Sequence, residues 1–241
     1  MNYTWNFKPL PPQATVIQLQ QELNISEPLA ILLAQRGITT FQQAKDFFRP
    51  TLSQLHNPFL MRGMKEAVTR LDHALKNNET ILIYGDYDVD GTSAVSLMER
   101  YLSTFTSKLF TYVPDRYSEG YGISFQGIDY AEAQGCTLII ALDCGIKAID
   151  KVQYAKEKGI DCIIADHHRP SDQVPDAVAV LDPQQADCPY PYKELCGCGL
   201  GFKLAQAYHE YLQRPFSELI PLLDLVAVAT AADIVPMNGE N

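Results

Sequence analysis

The sequence lacks any apolar run near the ~20 residues that cross a bilayer. Its first residues, MNYTWNFKPLPPQ, also lack the basic start and apolar core of a secretory signal. We therefore expect a soluble, cytoplasmic protein with no membrane association.

Basic residues are scarce: 19 lysines and arginines face 29 acidic residues, which gives a formal net charge of −10. Nucleic-acid-binding proteins usually carry a basic surface, so this balance disfavours a polyanionic substrate. A site that collects several aspartates lowers the charge in the same way, and bound divalent cations reverse it locally. The net charge alone therefore neither supports nor excludes a polyanionic substrate.

Zinc-binding cysteine patterns are also missing. Of six cysteines, only Cys196 and Cys198 are close together, and their single-residue spacing fits no common zinc motif. Cys136, Cys144 and Cys162 lie in or beside apolar, strand-like runs, where cysteine behaves as a small hydrophobe. We expect the cysteines to be structural thiols.

Two kinds of pattern divide the 241 residues. Helical periodicity with irregular links dominates residues 1–77, in the segments 28–36, 40–48 and 64–77. From residue 78 onward, short apolar strands alternate with helices, which predicts an α/β fold: a parallel βαβ sheet with helices on both faces. The predicted strands are 81–84, 109–113, 137–142, 161–165 and 177–181. The predicted helices are 92–105, 124–134, 147–158, 199–213 and 217–232.

Polar side chains follow three of the predicted strands. Asp86, Asp88 and Asp90 follow the first strand, and Asp143 follows the third. The fourth is followed by the run Asp166, His167 and His168. Because ligands bind at the carboxyl edge of an open parallel sheet, these residues should meet in one crevice. Carboxylates mixed with imidazole suit Mn²⁺ or Mg²⁺, and Asp166 can hold an imidazole by its second nitrogen.

Other interpretations compete for the run GDYDVDGT. Asp and Gly are common in turns, but clustered carboxylates repel one another unless cations are present. An EF-hand loop needs a glutamate at its twelfth position, where this chain has Leu97. In a haloacid-dehalogenase-type phosphatase Asp88 would be the nucleophile and Asp90 the acid, but the histidine pair would have no role.

Six blocks in order resemble the DHH phosphoesterase superfamily, and within it the RecJ-type single-strand exonucleases. The blocks are YGDYDVDGTSA (84–94), VPDRYSEGYGIS (113–124), ALDCGI (141–146), IIADHHRP (163–170), LCGCGLGFKLA (195–205) and DLVAVATAADIVPM (224–237). The all-aspartate first motif favours the RecJ-type branch over the pyrophosphatase and oligoribonucleotide branches, which open with a histidine.

The resemblance implies a site for two Mn²⁺ or Mg²⁺ ions. The metal ligands carried over by position are Asp86, Asp88, Asp90, Asp143, His167 and Asp233, of which Asp86 is a close neighbour; Asp224 is the alternative to Asp233. Catalytic roles are implied for His168, Arg116 and Asp166, and substrate contacts for Arg116, Tyr121, Gly122 and His168.

The implied activity is 5′→3′ hydrolysis of single-stranded DNA to 5′-mononucleotides, in DNA repair and recombination. A helicase and a single-strand-binding protein are the implied partners. Three alternatives stay open: a DHH-type phosphodiesterase acting on dinucleotides or oligonucleotides, the dehalogenase-like phosphatase, and a silent DNA-binding scaffold. The last predicts lost metal ligands, and none of the matched positions is lost.

The resemblance also sets an expectation about extent. RecJ-type enzymes continue with a DHHA1 domain and an OB-fold module, and this sequence stops after the last matched block. We therefore expect an N-terminal fragment with a helical segment (1–77) and a DHH phosphoesterase domain (78–241), which would also account for the missing basic surface.

Overall fold

The computed structural model describes residues 4–241 and divides the chain into two compact units, Met1–Leu55 and His56–Asn241. Among the described residues, no helix is both long enough and apolar enough to cross a membrane. The compact units divide after residue 55, whereas the domain division after residue 77 stays a prediction.

The described part of the first unit, from residue 4, contains three α-helices: α1 (Gln13–Leu23), α2 (Glu27–Gln35) and α3 (Phe41–Phe48). Thr40 caps α3, because its hydroxyl accepts from the Gln43 amide at 3.2 Å while the Gln43 side chain accepts from the Thr40 amide, which completes a capping box. The core of this unit consists of Val16, Leu19, Ala30, Leu33, Ile38 and Ala44.

Helix α1 was not predicted from the sequence. Two prolines, at 11 and 12, disfavour regular helix before residue 13, but Pro12 lies at the cap of α1, where a missing N–H does no harm. Val16 and Leu19, one helical turn apart and buried, are the signal that could have identified it.

The second unit contains a parallel five-stranded sheet in the order β2-β1-β3-β4-β5, which confirms the predicted fold class. Its strands are β1 (Thr80–Gly85), β2 (Leu109–Tyr112), β3 (Cys136–Leu142), β4 (Asp161–Ala165) and β5 (Ala179–Leu181). Its helices are α4 (Met64–Lys76), α5 (Val89–Leu102), α6 (Phe125–Ala133), α7 (Ile149–Glu157), α8 (Gly197–Tyr211) and α9 (Leu223–Ala232).

Helices cover both faces of the sheet. On one face, Leu82, Ile139 and Ile164 pack against Ile128 of α6 and Val152 of α7. Side chains alternate along a strand, so their neighbours point to the opposite face. There α5 contacts β1 and α8 contacts β3, and α4 and α9 pack against these helices.

The predicted single helix over 217–232 is wrong in its first part. Two 3₁₀ turns, Phe216–Glu218 and Ile220–Leu222, precede α9. Pro221 is the reason: inside an α-helix its ring would clash with the preceding turn and it has no N–H to donate, so regular helix begins only after it.

The chain after α9 is held against α8 by a buried ion pair. Lys203 of α8 is 1% exposed, and its Nζ lies 2.5 Å from Glu240 Oε1. Glu240 also accepts hydrogen bonds from the His56 amide at 2.8 Å and the Tyr190 hydroxyl at 2.6 Å. These contacts fix the segment that follows Asp233.

The strand order places a crevice beside β1. Because β2 lies on one side of β1 and β3 on the other, the chain changes direction there, and ligands bind outside the carboxyl ends of strands at such a switch point. Asp86 directly follows β1 and Asp143 directly follows β3.

Candidate metal centre

The three aspartates after β1 occupy three different environments. Asp86 is fully buried, and its Oδ1 accepts from the Gly122 amide at 3.3 Å. Asp88 is exposed and caps α5 by accepting from the Gly91 amide at 2.9 Å. Asp90 lies in the first turn of α5 and is 2% exposed. The segment is therefore the start of a helix as well as a turn, and α5 begins three residues earlier than predicted.

Asp90 is held by the N-terminus of α8. Its Oδ2 accepts from the Gly197 amide at 2.6 Å and its Oδ1 from the Cys198 amide at 2.7 Å. The partial positive charge of a helix N-terminus stabilises a carboxylate there. A Cβ on Gly197 would lie 2.6 Å from Asp143 Oδ1 and closer still to its Cβ, so only glycine lets α8 approach both aspartates.

Asp143 is buried without a hydrogen bond to its carboxylate among the described residues. It has a positive φ of 59°, it is 1% exposed, and neither carboxylate oxygen has a hydrogen-bond partner among residues 4–241. Burial raises the pKa of Asp143 far above its usual range, and the nearby carboxylates of Asp90 and Asp88 raise it further. Aspartate after a strand often caps a helix, but such a role does not fit this orphaned side chain.

His167 faces three of these carboxylates. Its Nε2 lies 3.2 Å from Asp143 Oδ1, 3.6 Å from Asp233 Oδ2 and 3.8 Å from Asp90 Oδ2. This nitrogen is buried and has no hydrogen-bond partner in the described part of the chain. Two overlapping groups of side chains are close enough to share a metal ion: Asp143, His167 and His168, and Asp90, His167 and Asp233.

Asp233 and Asp224, the two candidates for the last metal ligand, lie in different surroundings. Asp233 directly follows α9, and its side chain points at His167. Asp224 lies in the first turn of α9 and is exposed, and among residues 4–241 its carboxylate accepts only from the adjacent Leu225 amide, at 2.8 Å. The geometry groups Asp233, and not Asp224, with the cluster.

His168 is held in place by Asp166. Its Nδ1 lies 2.7 Å from Asp166 Oδ1, while the Ile146 amide donates to Asp166 Oδ2 at 2.8 Å. This bond to Asp166 raises the pKa of His168. The other ring nitrogen, Nε2, lies 3.1 Å from the Tyr121 hydroxyl, so Asp166, His168 and Tyr121 form a chain of polar contacts.

The predicted substrate residues lie on the outer side of this chain. Tyr121 is half exposed and its ring packs edge-on against Tyr87, with the centroids 6.0 Å apart. The guanidinium of exposed Arg116 lies 5.5 Å from the centre of the same Tyr87 ring. Gly122 contributes its backbone, since its amide donates to Asp86.

Asp182 and the first-turn amides of α8 were not predicted from the sequence. Asp182 follows β5, which pairs with β4 so that Leu181 lies opposite Ala165. Asp182 is fully buried, its Oδ2 has no partner among residues 4–241, and burial raises its pKa to about 7. The position of Asp182 directly after a strand could have identified it from the sequence. The backbone amides of α8 could not be identified in this way, because every residue except proline has one.

The six cysteines are free and buried, as expected for structural thiols. Cys196 caps α8, since its Sγ accepts from the Gly199 amide at 3.4 Å. Burial raises the pKa of the Cys196 thiol to about 12. The site is therefore one of hard oxygen ligands with imidazole, a set that suits Mn²⁺ or Mg²⁺.

Comparison with known proteins defines the class. Residues 80–230 match the model of the DHH family, N-terminal domain, so the chain belongs to the DHH family. The resemblance inferred from the six blocks is thus confirmed.

Relatives with similar sequences indicate one kind of DHH protein. The chain is 42% identical over 231 residues to the single-stranded-DNA-specific exonuclease RecJ of Bacillus subtilis, covering 96% of this chain and 29% of that protein. It is 34% identical over 220 residues to the RecJ of Escherichia coli, covering 87% of this chain and 37% of that protein. The chain therefore spans about a third of the length of these relatives.

Solved structures agree with this. RecJ from Thermus thermophilus in complex with Mn²⁺ matches with a TM-score of 0.77 and 27% identity, over 95% of this chain and 32% of that one. An exonuclease RecJ bound to manganese matches with a TM-score of 0.69 and 30% identity, over 78% of this chain and 46% of that one.

The contact between α8 and Asp143 leads to a stability prediction. Gly197→Ala should destabilise the protein by about 1–3 kcal/mol, because the added methyl group forces α8 away from Asp143. Gly199→Ala is the matched control in the same turn: its Cβ would meet nothing closer than 3.5 Å, and alanine favours helix. Urea unfolding of both variants measures the difference, and equal stabilities would contradict the close-approach argument.

The buried carboxyl of Asp182 leads to a pH prediction. Because its folded pKa of about 7 lies above the usual value, Asp182 contributes stability that is complete below pH ~4 and is lost as the pH rises through 7. Between pH 5 and pH 8, Asp182→Asn should therefore gain about 3 kcal/mol relative to the wild type in metal-free buffer.

Urea unfolding at the two pH values measures that gain. Asp172→Asn, which changes an exposed aspartate, is the control and should show none. If the free energies of unfolding of the wild type and Asp182→Asn differ by the same amount at both pH values, Asp182 is not a buried, protonated carboxyl.

Proposed function

We propose that this chain forms the metal-binding part of a 5′→3′ exonuclease that degrades single-stranded DNA to 5′-mononucleotides in DNA repair and recombination. The observation that carries the proposal is His167 Nε2 among the carboxylates of Asp143, Asp233 and Asp90, in a chain of the DHH family. The names of the relatives supply the substrate class, and the resemblance of the motifs supplies the polarity.

Five side chains would hold two divalent ions, Mn²⁺ or Mg²⁺: Asp88, Asp90, Asp143, His167 and Asp233, with Asp86 beside them. The residues of this site fit a cation. Both carboxylate oxygens of Asp143 and Nε2 of His167 are buried without hydrogen-bond partners among the described residues, which is costly unless a cation satisfies them. Bound divalent ions polarise a phosphate and make water a better nucleophile at neutral pH.

His168 and Asp166 would act on the phosphate. Asp166 fixes the ring through Nδ1, so Nε2 is the atom left to face a substrate oxygen, beside the Tyr121 hydroxyl. The raised pKa of His168 favours its charged form, which can donate to a phosphoryl oxygen.

Arg116 would bind the approaching strand. It has no acidic partner within 4.0 Å among residues 4–241, and a guanidinium can bind a phosphate through two hydrogen bonds. Arg116, partly buried Tyr87 and Tyr121 form a row that leads to His168, so a nucleotide held there would reach the carboxyl edge of the sheet. Stacking of bases on tyrosine is tolerant of sequence, as an exonuclease requires.

Three further expectations stay predictions: the DHH domain over 78–241, the cytoplasmic location, and the helicase and single-strand-binding partners. The dehalogenase-like alternative leaves the histidine pair without a role, whereas here His167 lies at the centre of the cluster.

Removal of one ligand tests the metal site. Asp143→Asn should weaken Mn²⁺ binding by more than the ~10–100-fold typical for loss of an outer-shell partner, because it removes a carboxylate from the cluster. Electron paramagnetic resonance of free Mn²⁺ during titration gives the affinity and the number of ions. Asp150→Asn, in the exposed first turn of α7, is the control, and Mn²⁺ binding by Asp143→Asn equal to that control would overturn the site.

Substrate choice tests the proposed activity. With Mn²⁺, a 5′-phosphorylated, 5′-labelled single strand of about 20 nucleotides, longer than the site of one single-strand-binding fold, should lose mononucleotides from its 5′ end faster than a dinucleotide is cleaved. Asp143→Asn should abolish the reaction. Faster turnover of the dinucleotide would support a small-substrate DHH phosphodiesterase instead. A phosphoryl group trapped on Asp88 would support the dehalogenase-like chemistry.

A further inference from the structure

The first unit contains a cavity that plays no part in the proposed chemistry. It measures about 730 Å³ and lies between α2 and α3, with walls that include Leu29, Leu32, Phe41 and Phe48. We call it the apolar groove. All of its lining residues belong to residues 23–49.

The apolar side chains of this groove are exposed to an unusual degree. Leu29 is 51% exposed, Leu32 47%, Phe41 50% and Phe48 63%. Isolated apolar side chains on a surface need no explanation, but a contiguous concave patch marks a binding site.

The charged side chains that line the groove are all basic. Residues 1–55 contain four basic residues, and three of them, Arg36, Lys45 and Arg49, line the groove. None of the three acidic residues in this stretch lines it, although the Glu22 carboxylate borders it by accepting from the backbone amide of Phe41 at 3.1 Å. Within the described residues, none of the three cations forms an ion pair, although the net charge of the chain is −10.

We propose that the apolar groove binds an amphipathic helix of a partner protein, with an apolar face toward Leu29 and Leu32 and acidic residues toward Arg36, Lys45 and Arg49. Two helices with apolar walls form the kind of groove that accepts a helix through side chains at i, i+3, i+4 and i+7. The three cations complement acidic residues beside that stripe.

Single-stranded DNA would also be attracted by the cations, but it fits the walls less well. Bases bind by stacking on flat rings. Three lining residues, Phe41, Phe47 and Phe48, do offer rings, but five others, Leu23, Ile25, Leu29, Leu32 and Leu33, are branched aliphatic residues that offer no flat face. DNA binding in the groove is therefore the competing result that an experiment must distinguish.

A displayed library of random peptides tests the proposal. The peptides are about 15 residues long, which corresponds to about four helical turns. Peptides are selected for binding to the whole chain, and those that also bind the Leu32→Glu variant are removed. Enriched peptides should carry apolar residues at helical spacing and an excess of Asp and Glu. One such peptide, synthesised with a fluorophore, should bind at least about 10-fold more weakly to Leu32→Glu and to Arg36→Glu/Lys45→Glu. Circular dichroism verifies that each variant folds, and Leu29→Glu replaces Leu32→Glu if the latter does not.

Two controls keep the test specific. Lys8→Glu reverses the one cation of residues 1–55 outside the groove, and Leu10→Glu alters an apolar side chain that is 78% exposed and does not line it. Both should bind the peptide as the wild type does. The proposal is wrong if no enriched peptide depends on Leu32, if the enriched peptides are neutral or basic, or if an oligothymidine single strand displaces the peptide. Self-association of the chain that Leu32→Glu abolishes would identify a second copy as the occupant and overturn it too.

Discussion

Burial of several carboxylates around one imidazole governs the carboxyl edge of the sheet. Asp143 cannot share its charge with water, and its neighbours Asp90 and Asp233 have the same sign. Without a cation the cluster lowers its energy by holding protons, which is the origin of the raised pKa of Asp143. A divalent ion would replace those protons and satisfy the unpartnered oxygens, so the raised pKa of Asp143 and the proposed affinity of the cluster for cations have one cause.

The rest of the second unit is arranged to hold these charges. Parallel strands bring Asp86, Asp143 and His167 to one edge, and the N-terminus of α8 adds two backbone amides that bind Asp90. The glycine at 197 is required because α8 and Asp143 approach too closely for any side chain. The buried Lys203–Glu240 pair then ties the segment after Asp233 to the same helix.

Much of this could be predicted from the sequence because it depends on local pattern. Apolar runs indicated the five strands, and Asp and His after those runs indicated the site. What could not be predicted depends on tertiary contact: the Gly197 and Cys198 amides at Asp90, and the packing that leaves Asp182 without a partner for its Oδ2 among the described residues. Two prolines have opposite effects that the sequence does not distinguish: Pro12 lies at the cap of α1, so helix follows it directly, whereas Pro221 delays the start of α9.

Diffraction from crystals soaked in Mn²⁺, recorded for anomalous scattering, tests the metal centre most directly, because it locates ions and ligands together. We expect two anomalous peaks in the crevice outside β1 and β3, in contact with Asp143 and His167. We also expect that Asp233, and not Asp224, reaches one of them. Peaks elsewhere on the protein, or none in a crystal that demonstrably contains Mn²⁺, would contradict this assignment.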